Sequence, residues 1–212
     1  MINKKIFIAC DVSSQTEITN LLDLIHKDIS GIKIGLQYIT QRSPEDIKEL
    51  LKYNKPIFYD AKFFDIKNTL IESVNSLKEL NIEYATVHLL NGLNSLKAAN
   101  EAANKINVKL LGVSILTSFN DEDLLDLGFK DGIKDQVLRL IKIADEANLY
   151  FPKKKKNRFQ EDASNDLKEL LNNWARSKGL GFALVNPDPT QLDDEIFERI
   201  INKIVLFGHG LK

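Results

Sequence analysis

The sequence is short of cysteine, of long apolar runs and of any excess of one charge, and each shortage removes a class of protein. Cys10 is the only cysteine, which excludes an intrachain disulfide and a zinc site built from several thiolates. No run approaches the about 20 consecutive apolar residues of a membrane-spanning helix. The N-terminus, "MINKKIFIACDVSS", starts basic, but its apolar stretch ends at Cys10, before Asp11. That is too short for the core of a signal peptide and reads instead as a first β-strand. Lys plus Arg number 29 against 30 for Asp plus Glu, a formal net charge of −1. Nothing in that balance draws the chain to nucleic acid or to a membrane surface. A cytoplasmic protein without nucleic-acid or membrane partners is expected.

What is present is ample core material. The chain has 212 residues, of which 43% are hydrophobic and 28% charged, the balance of a globular protein with one large domain spanning residues 1–212. Apolar, β-branched runs recur as "KIFIACDV" (5–12), "GIKIGL" (31–36), "KPIFYDA" (55–61), "YATVHLL" (84–90) and "KLLGVSIL" (109–116). Segments of helical period separate them. "TEITNLLDLIHKDI" places Ile18, Leu21, Leu22 and Ile25 on one face. "SPEDIKELLKY" opens with Ser43 as N-cap, Pro44 at the first helical position and acidic Glu45 and Asp46 behind it. "NTLIESVNSLKEL", "GLNSLKAANEAANKI" and "DQVLRLIKIADEANL" (135–149) continue the alternation.

Strand starts recur roughly every 25 residues in the first half, the size of one βα unit. Nearly continuous apolar strands joined by helices predict a parallel sheet. Adding a weak strand at 148–151 and runs at 181–187 and 203–210 gives the eight of a (β/α)8 TIM barrel. An open doubly wound sheet is the alternative, but no G-x-G-x-x-G follows the first strand. Residues 151–177 break the rhythm: "PKKKKNRFQEDASND" reads as an irregular charged loop, and "DLKELLNNWARSKG" as an amphipathic helix with Gly179 at its end.

The third strand raises the functional question. "FYDAKFFDIKNT" carries Asp60, Lys62 and Asp65 among apolar residues. Alternation along a strand points Asp60 and Lys62 to one face, at the C-terminal end where barrel enzymes hold their chemistry. Stability is a poor reason to bury such a pair. Lys33 in "GIKIG" and Asp11 in "IACDV" occupy the matching ends of the second and first strands. Neighbouring parallel strands lie about 4.8 Å apart, so Asp11, Lys33, Asp60 and Lys62 are expected to form one cluster of alternating charge.

"YDAKFFDIKNT" is similar to the D-x-K-x-x-D-I-x-N-T signature of orotidine 5′-phosphate decarboxylases, with Phe64 and Lys67 where the family usually has His and Pro. "IACDVS", "IKIGLQ", "TVHLLNG" and "VSILTSF" resemble the family's first, second, fourth and fifth strands, so the likeness runs in order over residues 5 to about 149. The resemblance implies decarboxylation of a nucleoside monophosphate, orotidine 5′-phosphate, to UMP, without metal or organic cofactor. It implies Lys62 as proton donor, Asp60 beside the departing carboxylate, Lys33 holding Asp60 and the ribose, and Asp11 on the ribose. It also implies a homodimer in which Asp65, Ile66 and Thr69 reach the neighbouring subunit's site, with Thr117 near the base. His88 reads as a packed rim residue outside catalysis.

The last third departs from the family pattern. "LYFPKKKK", "VNPDPTQ" and "LFGHGLK" stand where the family has Cys-Ser, T-P-G-I-R and Gly-Arg. Pro187 and Gly208 match. Asp188, Pro189 and Thr190 do not, and His209 stands at the phosphate Arg. A His cannot reproduce the bidentate fork of Arg, so impaired phosphate binding is expected, with a frameshift or truncation after about residue 150 as one origin. Gln191 and Lys153 to Lys156 are candidate substitutes. The alternatives are a Mg²⁺-dependent hexulose-phosphate synthase or keto-gulonate-phosphate decarboxylase, and a non-catalytic barrel with a degenerate site.

Overall fold

The computed structural model describes residues 6–11, 14–150 and 204–206. Outside them lie the charged segment 151–177, the helix ending at Gly179, the strand expected at 181–187, Gln191, Gly208 and His209. The described residues group into two compact units, one holding those up to Pro56 with 204–206, the other Ile57 to Tyr150.

In the first unit, β1 (Ile6–Ala9) runs parallel to β2 (Gly31–Gly35), with Phe7 opposite Gly31 and Ala9 opposite Lys33. Gly31 is required there, because a Cβ at that position would collide with the Phe7 ring. All of β2 is buried, as a strand covered on both faces must be. Helix α1 (Gln15–Ile25) starts at Ser14, whose side chain accepts the Glu17 N–H, and buries Ile18, Leu22 and Ile25. Two short helices follow β2, α2 (Leu36–Gln41) and α3 (Pro44–Glu49). Ser43 and Asp46 close a reciprocal capping box on α3, at 3.3 Å and 2.9 Å. Tyr38 ties these helices together, its hydroxyl donating to Gln15 Oε1 and to the Asp46 carbonyl. Burial pushes its pKa up to about 12.

In the second unit, β3 (Ile57–Phe63), β4 (Ile82–His88) and β5 (Lys109–Val113) are parallel neighbours. Between and after them come α4 (Lys67–Asn75), α5 (Leu93–Lys105), α6 (Asp121–Asp126) and α7 (Ile133–Glu146). The buried side of α5 is mostly small, with Ala99, Ala102 and Ala103 beside Leu96. The strands and helices follow each other in the order of a (β/α) barrel.

Two strand expectations need correction. At 148–150 there is a turn and not a strand: Asn148 is left-handed (φ 53°), and only the Tyr150 N–H bonds to the sheet, to the Leu110 carbonyl at 2.9 Å. Within the run at 203–210 the described residues form β6 (Ile204–Leu206), which pairs antiparallel to β1 instead of parallel. An antiparallel ladder satisfies the N–H and C=O groups along β1 equally well, and an apolar run carries no mark of its direction.

Candidate active site

The first unit supplies one ion pair. The Cys10 N–H donates to the Lys33 carbonyl at 2.8 Å, carrying the β1–β2 ladder one residue past β1 and delivering Asp11 beside Lys33. Lys33 Nζ donates to Asp11 Oδ2 at 2.8 Å, with the lysine side chain 11% exposed and the aspartate 39%. Gly35 clears the space, since a Cβ there would stand 2.5 Å from Asp11 Oδ1. An ammonium this deep is retained only with acceptors in place.

The second unit supplies the other pair by a less regular route. Tyr59 is opposite Ala85 and Phe63 is opposite Val87, so Asp60, Ala61 and Lys62 together face Thr86 alone. Strict alternation therefore fails within this stretch. The pairing survives because the chain bulges and Lys62 adopts a left-handed backbone (φ 51°). Lys62 Nζ then lies 3.0 Å from each carboxylate oxygen of Asp60. Thr86 Oγ1 accepts the Lys62 N–H at 2.8 Å and donates to Asp60 Oδ1 at 2.9 Å. Asp60 is largely enclosed while Lys62 is 42% exposed, so the ammonium faces outward from a fixed base.

Beyond β3 the chain is held by Asn91. Its Nδ2 donates to the Phe63 and His88 carbonyls at 2.9 Å and 2.7 Å, and its Oδ1 accepts the Asp65 N–H at 3.1 Å. Asp65 Oδ1 accepts the Ile66 N–H at 2.7 Å, at the start of α4. Asp65, Ile66 and Thr69 are all exposed, with Ile66 at 74%. Thr117 lies in an exposed turn past β5, closed by the Phe119 N–H on the Leu116 carbonyl. His88 ends β4: its Nδ1 accepts the Leu90 N–H, its ring packs against Phe64, and burial lowers its pKa. Those contacts suit the packed rim residue expected.

Among the four residues expected to cluster, the structure holds two ion pairs, Lys33 with Asp11 and Lys62 with Asp60. Sequence reasoning overlooked Thr86, Asn91 and Gly35. Thr86 sits inside the quoted "TVHLLNG", but nothing about a threonine in a strand distinguishes a clamp from an ordinary β-former. Among the described residues, no group of three or more His, Cys, Asp or Glu side chains is placed to hold a metal ion, and no helix is long and apolar enough to cross a membrane.

Comparison with known proteins bears out the resemblance. The orotidine 5′-phosphate decarboxylase of the Wolbachia symbiont of Brugia malayi is 34% identical over 145 residues, 68% of this chain and 64% of its own length. The chain therefore spans a little under two thirds of the curated relatives it matches first. The crystal structure of the Lactobacillus acidophilus orotidine 5′-phosphate decarboxylase superposes with a TM-score of 0.61 at 27% identity, over 68% of each chain. An uncharacterised Geobacillus kaustophilus protein shares the fold over 93% of this chain and 98% of its own, with a TM-score of 0.64 at 20% identity. The family model for "Orotidine 5′-phosphate decarboxylase / HUMPS family" matches residues 4–181. On that match, and on the D-x-K-x-x-D segment at the end of β3, this chain belongs to the orotidine 5′-phosphate decarboxylase / HUMPS family.

Proposed function

We propose that this protein decarboxylates orotidine 5′-phosphate to UMP in pyrimidine biosynthesis, as a cytoplasmic homodimer without metal or organic cofactor. The observation that carries this reading is the Lys62 ammonium, held 3.0 Å from Asp60 at the end of β3. In the reaction the bond from C6 of the pyrimidine to its carboxylate breaks, CO₂ leaves and the electron pair stays on C6. Lys62 stabilises that developing charge and donates the proton that replaces CO₂. Asp60 stands beside the departing carboxylate. Lys33 serves Asp60 and the ribose, Asp11 the ribose and Thr117 the base, and Gly208, outside the described residues, is assigned to substrate binding. Asp65, Ile66 and Thr69 serve the neighbouring subunit's site. With His209 at the position of the family's phosphate Arg, a raised KM and lowered kcat are expected, because remote binding energy drives the chemical step.

Loss of orotidine 5′-phosphate absorbance with purified protein tests the reading. Lys62→Ala should lower the rate by about 10²–10⁴-fold, the range of a general acid. No turnover by the wild type at enzyme concentrations matching the substrate would sink the decarboxylase assignment. The matched family also takes in the hexulose-phosphate branch. EDTA distinguishes the two: activity that survives it supports the cofactor-free reaction, and activity that it abolishes supports the Mg²⁺-dependent one.

A further inference from the structure

The bulge in β3 creates a problem that one hydroxyl solves. With Asp60, Ala61 and Lys62 all opposite Thr86, the Lys62 N–H has no partner in the regular ladder, and its left-handed backbone is one an L-residue rarely holds unaided. Thr86, itself 5% exposed, accepts that N–H at 2.8 Å. Having accepted it, the hydroxyl directs its own proton elsewhere, and it reaches Asp60 Oδ1 at 2.9 Å. Asp60 in turn receives Lys62 Nζ on both oxygens at 3.0 Å. The contacts close a ring: Lys62 backbone to Thr86, Thr86 to the Asp60 carboxylate, carboxylate to Lys62 ammonium. Both ends of the lysine are thereby referred to β4.

We propose that Thr86 is a positioning residue that presets the Lys62 ammonium and the Asp60 carboxylate for proton delivery to the substrate carbon. The proposal rests on the decarboxylase reading above. Thr86 needs no contact with substrate. It acts by fixing the one backbone angle and the one carboxylate orientation that together aim Nζ. A proton donor displaced by about 1 Å loses rate on the order of 10²-fold, and the loss falls on the chemical step, since ribose and phosphate binding lie with other residues. The hydroxyl is the active feature. Valine has the same shape without it, and serine keeps it without the methyl.

The test compares Thr86→Val and Thr86→Ser with wild type. Thr86→Val should lower kcat by about 10- to 100-fold with KM within about threefold, and Thr86→Ser should stay within about threefold of wild-type kcat. Wild-type kcat in Thr86→Val would overturn the proposal. So would a Thr86→Ser variant as slow as Thr86→Val, because packing and not the hydroxyl would then be responsible. If Thr86→Val fails to fold, Thr86→Ala replaces it with the same expectations. A crystal structure of the hydroxyl-less variant gives a reading independent of turnover. Lys62 should leave the left-handed region, or its Nζ should leave Asp60, and an unchanged Lys62 contradicts the proposal. Wild type that turns over no orotidine 5′-phosphate refutes the decarboxylase reading, and the crystal structure then decides alone whether Thr86 presets Lys62.

Discussion

Lys62 carries two loads at once, a charge on the barrel rim and a backbone angle (φ 51°) that side-chain-bearing residues avoid. The left-handed conformation costs an L-residue about 1–2 kcal/mol relative to its ordinary one, whereas glycine adopts it freely. Lys62→Gly should therefore be more stable than Lys62→Ala by about 1 kcal/mol, although both lack the ammonium. Urea midpoints measured side by side check this, and equal midpoints would mean that the angle relaxes once the ammonium is gone. His88 gives a second residue-level expectation. Burial holds its folded-state pKa below the usual 6.5, so the unfolded chain takes up the proton first. Its contribution to stability is complete above pH 6.5 and is lost as pH falls through the folded value. The urea midpoint should drop between pH 7.5 and pH 5.5, and His88→Asn should drop less. At this scale the sequence picked out two charges that do meet: Asp60 and Lys62 stood out in an apolar strand. It was uninformative about how they meet, because a bulge leaves no mark in residue order and Thr86 is an ordinary strand residue.

Elements were legible where local chemistry decides them. Ser43, Pro44 and Asp46 announce α3 before any tertiary contact is known, and the capping box is there. The same device at Asn120 and Asp123 opens α6, a helix that periodicity alone did not reveal because it is only six residues long. Helix ends were less legible. The run after α3 tightens into a 3₁₀ turn over Leu50–Tyr53 and stops at Asn54 in the left-handed region. The segment after α4 does the same over Ser76–Leu80 and stops at Asn81. Asparagine tolerates that conformation better than other side chains, so both stops were written in the sequence, but as a single residue and not as a pattern. Asn100 is the element-scale counterpart of Asn91. From α5 its buried side chain donates to the Ala147 and Asn148 carbonyls at the end of α7, at 3.3 Å and 2.9 Å. Asn100→Leu leaves those carbonyls without it and should cost about 1–3 kcal/mol, measured by thermal or urea unfolding. A loss below a few tenths of a kcal/mol would mean that water takes over the role.

For the whole molecule, a net charge of −1 leaves association to shape and apolar contact. Beside Asp65, Phe64 is 63% and Ile66 74% exposed, and apolar side chains grouped on a surface commonly mark an interface. Under the shared-site reading proposed above, Ile66→Glu should shift the protein from dimer to monomer by size-exclusion chromatography with light scattering, and activity should fall in step. A fully active monomer would remove the shared site from the proposal. The alternation of β1 to β5 with their main helices was readable in the first half of the chain, because each βα unit repeats one apolar pattern. The direction of β6 was not, since pairing partners and polarity are properties of the assembled sheet. The side-chain clamps on β3 also bear on the order in which the molecule comes together. The Lys62–Thr86 bond joins residues 24 apart and the Asp65–Asn91 bond joins residues 26 apart. The reactive end of β3 is thus finished by chain that emerges from the ribosome well after it, while Ile57 and Phe58 at its other end are buried in the core. In the reverse direction, loosening the turn after β4 frees Asp65 from Asn91 while the strand pairing of β3 and β4 still stands. On the proposed function, activity should then be lost at a lower urea concentration than secondary structure, and coincident loss of the two would contradict this.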